Sequence, residues 1–269
     1  MRILIYVKYH YKNNTERDHM KLQDLVEKLP IINRFHKYYC PICRCHYQSF
    51  KDYTGRYYIK GELIDHFTPN AICPGCGSDI RHRFVVSFLE MKTNVLNANL
   101  KLLHFAPEKW IYDYIMKLKN IEYSPCDIDP SKYKYSNILK VDMTDIPFPD
   151  SHFDAVLSIH VLEHIKNDIV ALHEIHRVLK KGGWALIAIP IYGEKTFEDP
   201  SLDDEGRYKM YGLSEHMRMN GLDFVNKLLK VGFAAEVYST DTVNGKYLDR
   251  IVSSPHVESD KWLFYCKKN

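Results

Sequence analysis

The chain has 269 residues, of which 45% are hydrophobic and 26% are charged. This balance is typical of a globular protein of one or two domains, and it excludes a collagen-like, coiled-coil or low-complexity chain. The formal net charge is only +3, so the chain as a whole offers no strong electrostatic attraction to a nucleic acid or an anionic membrane.

The N-terminal region begins with a strand-like apolar stretch, residues 1–7, and continues with a helical pattern over residues 19–29 that ends at Pro30. The apolar stretch is interrupted by Arg2 and is too short for the core of a secretory signal peptide. No run in the sequence approaches the roughly 18–20 apolar residues that a membrane-spanning helix needs. We therefore expect a soluble, cytoplasmic protein that does not bind membranes.

The sequence contains seven cysteines, an odd number that favours metal ligation over a disulfide framework. Four of them form two Cys-x-x-Cys pairs, Cys40 with Cys43 and Cys73 with Cys76. Each pair can direct two thiolates at one tetrahedral Zn²⁺ ion, and four thiolates leave no open coordination position. We therefore expect a structural zinc ribbon over about residues 38–83, although two unrelated turns with free thiols would show the same pattern.

The stretch between the two pairs, residues 44–72, is longer than the usual zinc-ribbon spacing of about 15–20 residues. It should therefore fold back on itself, as a tyrosine-rich hairpin around Thr54–Gly55. Cys45 is a weaker alternative to Cys43, because the Cys-Pro-x-Cys turn is complete without it. Cys126 and Cys266 lie in predicted strands and are expected in the core.

The second half of the chain has a different pattern, in which short apolar runs alternate with amphipathic stretches. This alternation is typical of βα units around a parallel sheet, and residues 84–99 predict a connecting helix before it. The predicted strands are residues 102–106, 121–127, 137–141, 153–159, 184–190, 233–240 and 262–266, and the predicted helices are residues 110–118, 168–179 and 222–231. Gly182 with Gly183, and Gly232, are expected to end the two later helices. The sequence thus predicts an α/β fold of seven strands, with domains at residues 1–99 and 100–269.

Two histidine pairs could mark a site. His173 and His176 lie on a predicted helix, but their i, i+3 spacing differs from the i, i+4 pair of a zincin motif, which favours an ordinary exposed helix. His160 and His164 do have i, i+4 spacing and follow a predicted strand, where α/β folds bind their ligands. These two are the better site candidates, with packing or capping as the open alternative.

Residues 141–154, continued by Ser-Ile-His-Val-Leu-Glu-His at 158–164, and Arg-Val-Leu-Lys-Lys-Gly-Gly at 177–183 resemble the class I S-adenosylmethionine-dependent methyltransferases. The two cysteine pairs followed by Arg81-His82-Arg83, the turn at 103–108 and Glu-His-Met-Arg at 215–218 look like a branch with an N-terminal zinc ribbon. The resemblance covers about residues 100–190. It implies a Rossmann-like seven-stranded sheet with helices on both faces, S-adenosyl-L-methionine as cofactor and methyltransferase activity.

The resemblance also implies cofactor contacts. Asp127 matches the acidic residue that accepts hydrogen bonds from both ribose hydroxyls. Asp129 precedes Pro130 and is read as a turn residue, and Asp142 with Met143 matches the adenine edge, with helix capping as the alternative for Asp142. The full predicted set of cofactor contacts is His104, Phe105, Ala106, Glu108, Asp127, Ile128, Asp142, Met143, Ser158 and His160.

The first motif departs from the family pattern of an acidic residue followed by Gly-x-Gly. His104 takes the acidic position, and Ala106 and Glu108 take the two glycine positions. Since glycine permits close approach of the backbone, the cofactor must meet a differently shaped loop.

The combined interpretation is a methyltransferase for a small polar acceptor, such as a sugar or another metabolite of surface-polysaccharide pathways. His160 or His164 would be the general base, because an unperturbed histidine pKa near 6.5 suits that role. His216 and Arg218 either close over the acceptor or belong to a surface loop. The alternatives are an RNA-binding or RNA-modifying protein, which the near-neutral charge disfavours, and a catalytically silent cofactor-binding domain.

Overall fold

The computed structural model describes residues 37–240 and 261–269. The strand and helix predicted within the first 36 residues lie outside this part of the chain.

The cysteine-rich region consists of two antiparallel strand pairs. The first joins β1 (Tyr38–Cys40) to β2 (Cys45–Tyr47), and the second is a long hairpin of β3 (Lys51–Ile59) and β4 (Glu62–Ile72). The hairpin turns at Lys60 and Gly61, whose φ values of 51° and 83° suit a two-residue turn. The predicted hairpin is therefore confirmed, but its turn does not lie at Thr54–Gly55, since Gly55 pairs with His66 inside the hairpin.

Helix α1 (Ile80–Lys92) follows the second cysteine pair and begins four residues before the predicted start. A capping box explains the early start: the Asp79 side chain accepts from the His82 backbone amide, and the His82 ring accepts from the Asp79 amide. Residues 82–89 of α1 are all buried. One hydrophobic core unites the cysteine region, α1 and one face of the main sheet, so these parts pack as one body.

The main sheet has the predicted seven strands. They are β5 (Leu100–Phe105), β6 (Ile121–Asp127), β7 (Leu139–Lys140), β8 (Phe153–Ile159), β9 (Leu179–Ala188), β10 (Phe233–Ser239) and β11 (Trp262–Lys268). Their spatial order is β7-β6-β5-β8-β9-β11-β10, with β11 antiparallel to both neighbours and the other pairings parallel. This arrangement confirms the predicted mostly parallel α/β sheet.

The remaining helices are α2 (Lys109–Ile115), α3 (Asp168–Val178), α4 (Asp204–Tyr211) and α5 (Phe224–Val231). Helix α2 packs with α1 on one face of the sheet, whereas α3 and α5 pack on the other. Both faces are thus covered, which explains why the parallel strands read as nearly continuous apolar runs. None of the helices in the described ranges is both long and apolar enough to traverse a bilayer.

Gly182 and Gly183 do not end α3, contrary to the prediction. The helix ends at Val178 and β9 begins at Leu179, so both glycines lie inside the strand. The register with β8 jumps from Phe153–Leu179 to Ala155–Trp184, which leaves residues of β9 bulged out. A Cβ at Gly183 would lie 2.9 Å from the carbonyl oxygens of both Asp154 and Lys180, so the bulge requires glycine there.

Candidate active site

Two turns at the carboxyl edge of the sheet have unusual backbone conformations. The parallel strands β5, β6 and β8 end at this edge, and the chain leaves β5 at Ala106 with φ 44° and β8 at His160 with φ 54°. The left-handed region costs a non-glycine residue roughly 1–2 kcal/mol, and such strain is concentrated at functional sites. Ala106 therefore carries a side chain in a backbone conformation that glycine adopts far more readily.

Two polar side chains near the same edge are completely buried. His104 is 0% exposed; its Nδ1 hydrogen-bonds the Tyr123 hydroxyl at 2.8 Å, and burial lowers its pKa to about 3, so the ring is neutral. Ser158 on β8 is also 0% exposed. Within residues 37–240 and 261–269, neither His104 Nε2 nor Ser158 Oγ has a hydrogen-bond partner. Orphaned polar atoms of this kind fit a site that receives a polar ligand.

Asp127 ends β6 with its carboxylate oriented by two donors. Its Oδ1 accepts from the Asp129 amide at 2.8 Å and its Oδ2 from the Tyr133 hydroxyl at 2.6 Å. Each carboxylate oxygen can accept a second hydrogen bond, so the group remains able to bind a diol. Ile128 beside it is 60% exposed. Asp129 accepts from the Ser131 amide at the start of a short 3₁₀ turn, which confirms its predicted turn role.

Asp142 lies next to Asp127, because the Val141 amide donates to the Asp127 carbonyl at 3.0 Å. The Asp142 side chain is exposed and accepts from the amide and hydroxyl of Thr144 at 2.8 and 2.7 Å. It thus stabilises a local turn while facing solvent. Met143 is 4% exposed and belongs to the core.

Glu108 connects the loop after β5 to α1. Its carboxylate contacts the Arg81 guanidinium at 2.5 Å and His82 Nε2 at 3.2 Å. Burial alone would raise the pKa of Glu108, but the His82 hydrogen bond and the Arg81 charge outweigh it and hold the pKa at about 2. Trp110 strengthens the connection by donating from Nε1 to the Cys76 carbonyl at 2.7 Å. The loop predicted to meet the cofactor is therefore fixed by the cysteine region.

The four cysteines of the two pairs lie together. Their sulfur atoms are all within 4.8 Å of one another, with 3.7 Å between Cys40 and Cys76 and 3.7 Å between Cys43 and Cys73. The edge of a tetrahedron around Zn²⁺ with Zn–S bonds of about 2.3 Å is about 3.8 Å long, so the donor set fits such an ion. The Cys45 thiol instead contacts the Cys43 carbonyl. Cys126 and Cys266 are 0% exposed in the core, as predicted.

A cavity of about 600 Å³ lies beyond the end of β8. Its floor includes Glu108, His160 and residues 163–164, and one wall is formed by the β3–β4 hairpin through Tyr53, Tyr57 and His66. Tyr211 and His216 line it from the insertion after β9. This volume is typical of small-molecule sites. The residues between the cysteine pairs thus form part of the cavity, a role that sequence reasoning missed.

The hairpin tip is attached to α4. The amides of Lys60 and Gly61 donate to the carbonyls of Met210 and Lys209, both at 2.9 Å. Tyr58 also packs edge-on against Tyr208, with 5.4 Å between the ring centroids. The cavity wall is therefore supported at both ends of the hairpin.

Three further side chains surround His160 at the cavity floor. His160 Nδ1 lies 3.4 Å from Glu163 Oε1, and the rings of His164 and His216 are 4.9 Å apart. Burial lowers the pKa of His164, and burial together with His164 lowers the pKa of His216 to about 4. Sequence reasoning did not select Glu163, although it stands directly between the two predicted histidines.

Arg218 has a structural role in this region. It is 2% exposed, and its guanidinium donates to the carbonyls of Leu162, Ile165 and Lys166 and pairs with Glu198. Both roles considered from the sequence, closure over the acceptor and a surface loop, are wrong for Arg218. His216 is 6% exposed and lines the cavity, so the surface-loop interpretation is wrong for it too.

Residues 107–187 match the family model of a methyltransferase domain. The sterol 4-C-methyltransferase strm-1 of Caenorhabditis elegans is 27% identical over 147 residues, which are 52% of this chain and 42% of that protein. The ubiquinone/menaquinone biosynthesis C-methyltransferase UbiE of Coxiella burnetii is 30% identical over 60 residues, 22% of this chain and 24% of that protein. A solved S-adenosylmethionine-dependent methyltransferase of Archaeoglobus fulgidus aligns over 70% of this chain and 94% of its own, with 15% identity and a TM-score of 0.47.

The matched segment runs from the turn after β5 to the end of β9. It excludes the cysteine region, the hairpin and the insertion that line the cavity. The chain spans less than half the length of either curated relative. The family model therefore concerns the parallel part of the sheet and the turns that follow its strands.

Proposed function

We propose that the chain is an S-adenosylmethionine-dependent methyltransferase acting on a small polar acceptor. The observation that carries the proposal is that residues 107–187, which match a methyltransferase domain, form the strands and turns that end at the cavity. Bound S-adenosylmethionine would supply a methyl group on a sulfonium centre, which an acceptor atom can attack in line.

The proposed cofactor site lies along the ends of β5, β6 and β8. Asp127 would accept from the ribose hydroxyls, and Asp142 with Met143 would border the adenine. The fit rests on the left-handed backbone at Ala106, the orphaned Ser158 Oγ and the exposed Ile128. His104, Phe105 and Glu108 complete the predicted cofactor loop.

The acceptor would occupy the cavity, with an acceptor hydroxyl near His160. We assign His160 as the general base, since Glu163 Oε1 lies 3.4 Å from its Nδ1 and can orient the ring. His164 is the second candidate base from the same cavity floor. The base would remove the hydroxyl proton as the oxygen attacks the methyl carbon, and the bond between that carbon and the sulfonium sulfur would break to leave a neutral thioether.

The lining of the cavity favours a polar acceptor such as a sugar. Asp79, Arg81, Glu108 and several histidines line it together with tyrosine rings. A sterol or quinone ring system would offer no hydrogen bond to His216 Nδ1, a buried atom of the lining that has no partner among the described residues, and that is costly. The cavity chemistry therefore favours a polar acceptor.

The four-cysteine cluster is proposed to hold one structural Zn²⁺ ion. Its support is the sulfur geometry and a closed thiolate set, which has no position for water. A reducing, cytoplasmic compartment is proposed as well, because such a compartment keeps thiolate ligands reduced.

Calorimetric titration with S-adenosylmethionine tests the cofactor assignment. The wild type should bind, and Asp127→Asn should bind roughly 10–100-fold more weakly, because hydrogen bonds to a charged group contribute about 1.5–3 kcal/mol. Asp129→Asn is the matched control, since Asp129 caps a turn two residues away, and its affinity should stay unchanged. Absence of binding by folded wild-type protein would refute the proposal.

A further inference from the structure

The cavity floor contains a second group of metal-binding side chains, separate from the four cysteines. Glu163, His164 and His216 each present one ligand atom, and these atoms lie within 4.8 Å of one another. Two atoms bound to one ion at about 2.0–2.2 Å can be up to about 4.2 Å apart. Small side-chain rotations therefore suffice to bring all three onto one ion.

The rings of the two histidines pack against each other at the cavity floor, with 4.9 Å between their centroids. His216 is only 6% exposed. In the described part of the chain, His216 Nδ1 is buried and has no hydrogen-bond partner. This nitrogen is therefore available to a ligand in the cavity.

The segments that carry these side chains are joined before any ion binds. The Met217 amide donates to the Glu163 carbonyl at 2.8 Å. Arg218 donates to the carbonyls of Leu162 and Ile165, on the two sides of the Glu163–His164 pair. The turn after β8 and the segment of His216 are thus held together, which reduces the conformational entropy that ion binding would otherwise have to overcome.

We propose that Glu163, His164 and His216 bind a divalent first-row metal ion on the floor of the acceptor cavity. Two imidazoles and one carboxylate suit Mn²⁺, Fe²⁺, Co²⁺ or Zn²⁺. In contrast to the four-cysteine cluster, three protein ligands leave coordination positions open toward the cavity. Those positions would hold an oxygen atom of the acceptor beside His160. This catalytic role rests on the proposed function, whereas ion binding does not.

The same carboxylate can serve both His160 and the ion. Glu163 Oε1 faces His160 Nδ1 at 3.4 Å, and a carboxylate has two oxygens with about four acceptor sites. Glu163 would thereby fix the distance between the base and the bound acceptor oxygen.

Mn²⁺ titration of the 269-residue chain, loaded with one equivalent of zinc, tests the proposal by electron paramagnetic resonance. Thiolates select zinc, whereas Mn²⁺ prefers oxygen and nitrogen ligands, so the two sites can be separated. We expect one Mn²⁺ site, weakened at least ten-fold in both Glu163→Gln and His216→Gln. His173→Gln, which removes an exposed histidine of α3, should bind as the wild type does.

Two results would overturn the proposal: no Mn²⁺ binding by the wild type at millimolar concentration, or unchanged binding in both variants. If the variants fail to fold, the wild-type protein alone still tests the proposal. Pulsed electron paramagnetic resonance spectra of its bound Mn²⁺ should show coupling to imidazole nitrogen, and spectra without nitrogen coupling would refute the site. Mn²⁺ binding by a chain that does not bind S-adenosylmethionine would refute only the proposed function.

Discussion

His104, near the end of β5, is a buried side chain that should lower the stability of the folded protein in acid. In the sequence, His104 stands where the methyltransferases that this chain resembles have an acidic residue. Its surroundings exclude charge, because the ring is 0% exposed and burial lowers its pKa to about 3. An unfolded chain would titrate this histidine near pH 6.5. Between those two values the unfolded state binds a proton that the folded state does not, so stability falls as the pH decreases.

The resulting prediction concerns His104→Asn, which keeps a polar atom near Nδ1 for the Tyr123 hydroxyl. Between pH 6.5 and pH 5 the wild type should lose about 1.7 kcal/mol more of its unfolding free energy than the variant does. Urea unfolding at the two pH values measures the difference. His173→Asn, at an exposed histidine, should follow the wild type. Equal pH slopes for wild type and His104→Asn would contradict the burial argument.

Residue-level prediction from the sequence succeeded where the signal was local. The two Cys-x-x-Cys pairs, the turn role of Asp129 and the core positions of Cys126 and Cys266 all follow from short patterns. Arg218 could not be understood this way, because the carbonyls that it binds lie more than fifty residues earlier in the chain. Glu163 was missed for a similar reason, since its significance depends on His216 from a distant segment.

At the scale of elements, the sequence predicts the strands of the main sheet better than the hairpin turn and α4. The bounds of β6 and β8 match the expected residues 121–127 and 153–159, although β8 is buried along almost its whole length and β6 is buried only at Pro125 and Cys126. Helix α4 was not predicted, since its sequence is mostly polar and Tyr211 is its only buried residue. The hairpin turn was misplaced because cross-strand pairing and contact with α4 determine it, and neither is visible in local composition.

The contact between the hairpin and α4 gives a prediction for Gly212→Ala. Gly212 ends α4 with φ +86°, and a Cβ there would lie 2.9 Å from the Tyr58 carbonyl oxygen. The substitution should separate the hairpin tip from α4. Hydrogen exchange of the Lys60 and Gly61 amides, which donate to α4, should accelerate at least ten-fold.

Gly193→Ala is the matched control for backbone strain. Gly193 has φ +132°, and a Cβ there meets no described atom within 4 Å. The control should lose some stability without changing exchange at Lys60 and Gly61. If both variants accelerate exchange there equally, the contact between the hairpin and α4 is not what protects these amides.

At the scale of the whole molecule, the cysteine region and the sheet share one core. The proposed zinc ion should therefore influence cofactor binding at a distance. The path runs through Trp110, which bonds the Cys76 carbonyl, and through Arg81 and His82, which hold Glu108 in the loop after β5. Loss of the ion should loosen that loop as well as the ribbon.

Cys73→Ser tests this coupling. The variant should lose its equivalent of zinc by elemental analysis, melt more than about 5 °C lower and bind S-adenosylmethionine more weakly than the wild type. Cys45→Ser is the control, because Cys45 lies outside the four-sulfur group, and it should retain zinc, melting temperature and affinity. Wild-type protein with less than about half an equivalent of zinc would contradict the four-cysteine site.

The position of the hairpin in the chain has an evolutionary consequence. Both of its ends emerge from the same cysteine cluster, with Cys43 and Cys73 at 3.7 Å between sulfur atoms. Residues between them can therefore lengthen, shorten or change sequence without moving their points of attachment. Since the hairpin forms a wall of the cavity, exchange of this one segment would reshape the proposed acceptor site without moving Asp127 or the parallel strands.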